Sequence, residues 1–380
     1  MKSFSILGLL LIVNGILLTG CVEPYPPPVT DDQAGYLVVD GYLNSSTGTI
    51  TVKLTRAIPL SSVDIPPTEP NALITLEDSD GNTFMLTEEG NGKYSLSGVP
   101  TDFSKQYRLL ITTAENKNYI SEFVEIKQAP PIDELTWVPT DNGVKIQVDT
   151  HDDTQKSIYY KWSFEETYEQ HAVYYSAYEY NGGDVKLRTP ENDVYTCWKD
   201  EISQNIIIGT SQRLSTDIIN DFPVTLIPPG SPKIYVRYSI LVKQRVLTKE
   251  AYTYYDKLKK TTEDLGGLFD PQPGQVTGNF KSVSDPSEIV IGYFSGGSEE
   301  SERMFITLSD LPQHLRGYQS EGACSQDTVK LEELPFFSDG PNLLINGQYE
   351  GITLVGYTFA PTGCADCRRK GGTTERPDFW

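Results

Sequence analysis

The run Asp78-Ser-Asp80-Gly81-Asn82, with Glu89 beyond it, sets carboxylates and an amide at spacings close to those of an EF-hand calcium loop. Its glycine falls at the fourth position where that loop needs it at the sixth, and no helical pattern flanks it, so an acidic β-turn is expected. The three histidines, His151, His171 and His314, share no metal-ligand spacing, and no Gly-x-Ser-x-Gly elbow accompanies them. His151-Asp152-Asp153 therefore reads as a solvated turn. Glu88-Glu89, Glu165-Glu166 and Glu299-Glu300 could in principle supply the two carboxyls of a glycoside hydrolase. With 52 acidic residues in the chain, coincidence explains such pairs better. No phosphate loop appears in the glycine-bearing segments near Cys364. No catalytic residue, metal or cofactor is assigned.

Cysteine carries the clearest chemistry. Cys21 closes Leu18-Thr19-Gly20-Cys21 after a basic start at Lys2 and an apolar run from Phe4 to Leu18. That is the form of a bacterial lipoprotein signal, with residues 1–20 removed and the Cys21 thiol acylated. The run is shorter than the roughly 20 residues a membrane-spanning helix needs. Acylation would anchor the body to a bilayer without a spanning element. The remaining cysteines, Cys197, Cys324, Cys364 and Cys367, are even in number in an exported chain, so two disulfides are expected. Three pairings are open. A four-cysteine zinc site would want a second close pair beside Cys364-Ala-Asp-Cys367, and Cys197 and Cys324 stand alone.

Aromatic residues crowd the stretch from Tyr159 to Trp198. Tyr160, Trp162 and Phe164 suit strand packing. Tyr168, Tyr174, Tyr175, Tyr178 and Tyr180 are expected to be exposed and to offer a ligand or partner platform, since such rings combine contact area with a polar tip. The competing reading makes all of them core or cross-strand pairs.

The elements that must carry these residues are mostly strands. Residues 21–34 are rich in proline and acid and read as an extended tether. From Gly35 to about residue 128, seven short β-branched and aromatic runs, with Asp80-Gly81 and Asn91-Gly92 as hairpin signals, predict an immunoglobulin-like β-sandwich. Ala129-Pro130-Pro131 marks a boundary. A second, larger sandwich-like domain is expected over 129–310, interrupted by one helix over 249–265 that Thr248 caps and Gly266 ends. Residues 311–380 read as an irregular cysteine- and glycine-rich segment packed on domain two. Two domains suit a mature chain of about 360 residues. A net charge of −21 with no basic cluster argues against nucleic-acid partners.

Several of these segments together carry a family likeness. They are the lipobox, Tyr36-Leu-Val-Val-Asp-Gly41, Pro130-Pro-Ile-Asp133, Thr248-Lys-Glu-Ala-Tyr252, Leu268-Phe-Asp-Pro271, Gly278-Asn279, Val290-Ile-Gly-Tyr-Phe294, Cys364-Ala-Asp-Cys367, Gly371-Gly-Thr and Pro377-Asp-Phe-Trp380. The chain resembles an uncharacterised family of Bacteroidota outer-membrane lipoproteins labelled domain of unknown function four-two-four-nine. The resemblance runs over essentially the whole mature chain, with its most specific part at the C-terminus. It implies a non-enzymatic accessory lipoprotein of a TonB-dependent nutrient-uptake system, with the receptor as partner and surface display favoured over the periplasmic face. The alternatives are a surface hydrolase acting on glycan or peptide, and a structural envelope or adhesion protein.

Overall fold

A computed structural model describes residues 35–58, 62, 64–182, 184–263, 276–317, 324–337 and 340–380. Cys21, the tether, Gly266 and the 268–271 segment lie outside the described residues.

The first unit begins with β1 (Leu37–Asn44), β2 (Thr49–Arg56), β3 (Leu73–Asp78), β4 (Thr83–Met85), β5 (Thr87–Gly90), β6 (Lys93–Leu96), β7 (Gln106–Thr112), β8 (Asn118–Ser121) and β9 (Val124–Lys127). Every second residue of β1, β2, β3 and β7 is buried, the period-2 signature of a sheet with one wet face. Their inward side chains, among them Val39, Val52, Ile74 and Leu109, share one core. A methyl group placed on Gly41 of β1 would meet Leu109 of β7 at 3.1 Å, so these strands face each other across that core. This is the expected immunoglobulin-like sandwich.

The second unit comprises β10 (Ile132–Thr140), β11 (Gly143–His151), β12 (Tyr159–His171), β13 (Tyr178–Asn181), β14 (Asp184–Leu187), β15 (Thr196–Ile202), β16 (Ile207–Thr210), β17 (Ile218–Ile227) and β18 (Arg237–Val246). It continues through helix α1 (Lys249–Thr262), β19 (Phe280–Ser282), β20 (Ile291–Gly297) and β21 (Glu299–Thr307). One sheet has the order β10-β11-β17 and the other β15-β12-β18-β21, with β16 also on β12. The two sheets close over Trp162, which is 1% exposed and stacks on Phe222 at 4.3 Å. Its indole N–H donates to Gln244 at 2.9 Å, and the Gln244 amide in turn donates to Pro130 and Thr150 at 2.9 Å each. A polar core group is thus fully partnered, as burial demands.

The 129–310 stretch is not one self-contained domain. β20 leaves it and lies in the first unit, parallel to β1 and β9, while β19 pairs with β8. Position 292 shows why the sequence suits this insertion. Gly292 has φ +114°, and a Cβ there would sit 1.9 Å from the Val39 carbonyl oxygen. The Asn279 side chain then ties the incoming chain to both backbone groups of Phe294, at 2.9 and 2.8 Å. Helix α1 wedges into the seam between the units. Thr248 caps it through the Ala251 N–H at 3.2 Å, and Ala251, Tyr254 and Tyr255 pack on Tyr159 of β12 and Tyr293 of β20. No helix among the described residues is long and apolar enough to cross a membrane.

The C-terminal segment is regular where irregular chain was expected. β22 (Asp327–Lys330), β23 (Asn342–Glu350) and β24 (Thr353–Pro361) form a sheet of order β22-β24-β23, followed by the single turn α2 (Thr362–Ala365). Leu343, Leu344 and Ile345 sit on β23, and Val355, Tyr357 and Phe359 alternate along β24. These are ordinary strand signals that the surrounding glycine and proline obscure.

Candidate functional site

The cysteines pair as Cys197–Cys367 and Cys324–Cys364, which closes the question of the three pairings. The first bond fastens the C-terminal segment to β15, 170 residues away in sequence, and the second closes the segment on itself. Beyond Cys367 the chain runs along the free edge of β15, where Thr373 and Trp198 exchange backbone hydrogen bonds of 2.8 and 2.9 Å. It ends over the outer face of the sheet. There the Trp380 indole donates to Glu169 at 3.2 Å, Arg237 lies within 5.0 Å of the Phe305 and Trp380 rings, and Arg303 stacks on Phe379 at 3.6 Å.

The aromatic stretch receives this segment, and most of it is not exposed. Tyr168 was expected on the surface but is only 3% exposed, because the alternation of β12 points it inward; its hydroxyl donates to Glu201 at 2.9 Å. Tyr174 is half-buried and donates to the Cys324 carbonyl at 3.0 Å. Tyr178 and Tyr180 are half-buried too, set edge-to-face against Tyr357 and Phe337 of the C-terminal segment. Tyr175 alone of the five is exposed, at 52%, with Tyr195 beside its edge at 5.6 Å. The sequence shows aromatic density but not the partner surface, since Phe337 and Tyr357 lie 157 and 179 residues downstream of the tyrosines they meet.

Tyr178 and Tyr180 nevertheless line an open cleft of about 360 Å³ where the β13–β14 hairpin, residues 190–194 and the C-terminal segment meet. Arg188 organises its wall. Its guanidinium donates to Ser176, Glu179, Asn192 and the Tyr178 carbonyl at 3.0–3.4 Å. A second cation, Arg368, is forked onto Asp366 at 2.9 and 2.8 Å, which holds the Asp366 carboxyl below its usual range against the opposing push of burial. Asn192, Asn342 and Thr374 complete the rim. Sequence reasoning passed over Arg188, Arg368 and Asn342, because none stands in a motif and their meeting depends on the disulfides.

The other constellations resolve into structure. Asp78 accepts backbone N–H groups from Asp80 and Asn82 at 3.0 and 2.8 Å, and Lys105 bridges the Asp78 and Asp80 carboxylates at 2.9 and 2.7 Å. His151 meets Asp133 at 2.7 Å on the surface, and Asp152 caps its own loop at Thr154, Lys156 and Ser157. Adjacent glutamates on β12 point to opposite faces, so Glu165 meets Lys243 outside while Glu166 is buried against Lys233 and Tyr238 at 2.5 Å each. Glu201 joins the inner cluster through Lys233 at 2.8 Å. Burial pushes its carboxyl up, but hydrogen bonds from Lys233, Lys199 and Tyr168 outweigh this and hold it down at about 2. A proton-donating acid of a glycosidase pair needs the opposite environment. Among the described residues no three His, Cys, Asp or Glu side chains are grouped to hold a metal ion.

The family described as a domain of unknown function, DUF4249, matches residues 22–303. The chain belongs to it. The DUF4249 match ends inside β21, so the C-terminal sheet, Cys324, Cys364 and Cys367 lie beyond it, although the resemblance read from sequence placed its most specific part there. No curated protein matches the chain. Solved structures similar over part of it include these two. One is a two-domain fibronectin type-III segment from chicken tenascin, at 11% identity, covering 56% of this chain and 91% of that one, with a TM-score of 0.16. The other is the Yersinia pseudotuberculosis adhesin InvE, at 11% identity, covering 84% of this chain and 68% of that one, with a TM-score of 0.15. Scores this low carry no argument about function.

Proposed function

We propose that this DUF4249 chain is a lipid-anchored, extracytoplasmic binding module that serves a TonB-dependent uptake receptor of the outer membrane, displayed on the cell surface. The observation that carries the reading is the disulfide-fastened cleft. Its aromatic and polar lining is drawn from segments 150 residues apart and held by two bonds that persist in an oxidising compartment. Supporting it are the lipobox ending at Cys21 and the Glu165-Glu166 pair, whose carboxylates are engaged by Lys243 and Lys233. An anchor at Cys21 would keep the module at high effective concentration beside a membrane partner.

The test begins with the anchor. Metabolic labelling with a fatty-acid analogue is expected to mark the wild type and not Cys21→Ala, and the variant is expected in the soluble fraction. Native purification from solubilised outer membrane is then expected to bring down a β-barrel receptor. An unlabelled wild type, or purification of the chain alone, contradicts the proposal.

A further inference from the structure

The cleft beside Tyr180 has a definite chemical preference, set by which of its groups are already committed. Both cations are spent. Arg188 directs its donors to Ser176, Glu179, Asn192 and Tyr178, and Arg368 is neutralised by the Asp366 fork. Glu191 and Asp193 add negative charge to the same wall, beyond Glu179, which is paired with Arg188. An anionic ligand would meet cations whose charge carboxylates already balance, and would have to be desolvated beside two further carboxylates, which is costly.

What remains uncommitted is neutral. The side-chain amides of Asn192 and Asn342 make no hydrogen bond among the described residues, and neither does the Tyr180 hydroxyl. Each amide presents a donor and an acceptor from one planar head, which suits adjacent hydroxyls that must both give and receive. Tyr180 and Phe337, whose centroids lie 5.6 Å apart with the rings nearly perpendicular, add an aromatic corner to the same opening. Such rings pack against the apolar C–H face of a pyranose. A volume of about 360 Å³ falls at the low end for small-molecule sites, so it takes one or two sugar rings while the open mouth lets the rest of a chain pass.

We infer that the Tyr180–Asn342 cleft binds a neutral oligosaccharide. This rests on the binding-module reading above and names its ligand class. The ligand is recognised by amide hydrogen bonds to its hydroxyls and by aromatic contact with one ring. Placing the site on the disulfide-fastened segment gives the module a rigid lip, which lowers the ordering cost of binding.

The experiment uses the full acylated chain in a detergent without a sugar headgroup. It is screened against neutral glucan, xylan, mannan and N-acetylglucosamine oligomers, and the best hexasaccharide is measured by titration calorimetry. Tyr180→Ala and Asn342→Ala are each expected to weaken binding at least tenfold. Tyr175→Ala, on the surface away from the cleft, is expected to leave it unchanged. Unchanged thermal unfolding of both cleft variants shows that the loss is local; if either unfolds, Tyr180→Phe and Asn342→Asp replace them, with a several-fold loss expected from each. Binding of none of the oligomers, binding of anionic glycans or peptides alone, or binding insensitive to Tyr180 and Asn342 overturns the inference. Receptor co-purification is scored separately: a receptor without sugar binding defeats this inference alone, and sugar binding without a receptor defeats the uptake reading alone.

Discussion

Replacing Lys161 with methionine is expected to stabilise the protein at pH 7. Lys161 stands on the outer face of β12, in the seam beneath α1. Its ammonium lies 3.7 Å from the centroid of the Tyr255 ring and has no ion pair among the described residues. Burial pushes this amine down from 10.5 to about 8, with Asp40 drawing it back up and Arg245 adding to the fall. A displacement of that size corresponds to ~3 kcal/mol of cost to the folded state when the amine is charged, at ~1.4 kcal/mol per tenfold change. Part of the residue still touches solvent, so this figure is a ceiling. The cation–π contact that methionine forfeits offsets about 1 kcal/mol, leaving a net gain of roughly 1–2 kcal/mol. The sign also fixes a pH signature. Between pH 8 and 10.5 the unfolded chain holds more protons than the folded one at this position, so the wild type gains stability as pH rises through that window. Burial raises the hydroxyls of Tyr42, Tyr254, Tyr255 and Tyr293 in both proteins, which makes the difference between the two curves the quantity to read. Chemical denaturation at pH 7, 8, 9 and 10 is expected to show the methionine variant ahead at pH 7 and the gap closing by pH 10. A variant less stable than wild type at pH 7, or a gap independent of pH, refutes the buried uncompensated charge.

Cys197→Ser with Cys367→Ser opens a 170-residue loop, for which chain entropy alone gives a loss of roughly 5 kcal/mol in global stability; limited proteolysis is expected to cut the C-terminal segment first. A fragment ending at residue 128 lacks β20, which sits between β1 and β9 in the first sheet, and is expected to remain unfolded by circular dichroism until a segment spanning 276–303 is supplied. Gly292→Ala should reproduce much of that defect in the full chain, because its Cβ would strike the Val39 carbonyl. Glu201 is held at about 2 by Lys233, Lys199 and Tyr168 against the push of burial, so its contribution is present above the ordinary carboxyl value of 4.5 and is lost as pH falls from there through 2. Glu201→Gln is expected to unfold at a higher pH than wild type in an acid titration followed by tryptophan fluorescence.

Local patterns announced the strands well. Leu37–Asn44, Thr49–Arg56 and Gln106–Thr112 alternate in sequence as they alternate in burial, and the cap of α1 at Thr248 can be read directly from the chain. Assigning strands to sheets was beyond reach. Val290 to Phe294 reads as a strand, but nothing local says that it returns across the proline boundary to lie parallel to β1. The C-terminal strands were hidden by flanking glycine and proline. Likewise, the five tyrosines offered as a platform share a composition and not a fate: the parity of β12 buries Tyr168, while Tyr178 and Tyr180 take their place in the cleft from Tyr357 and Phe337. Disulfide pairing is set by the approach of β15 to the chain terminus, a contact with no spacing signal. The cleft residues Arg188, Arg368 and Asn342 belong to the same class, made neighbours by long-range closure alone.

Native purification of the full chain from detergent-solubilised outer membranes asks directly whether it has the receptor partner proposed above. The affinity tag belongs in an exposed loop, because the terminal Trp380 is docked on the sheet. A β-barrel receptor is expected to co-purify with the wild type and to be lost from the Cys21→Ala variant, as the proposed receptor role requires. Recovery of the wild-type chain without any barrel partner would contradict it.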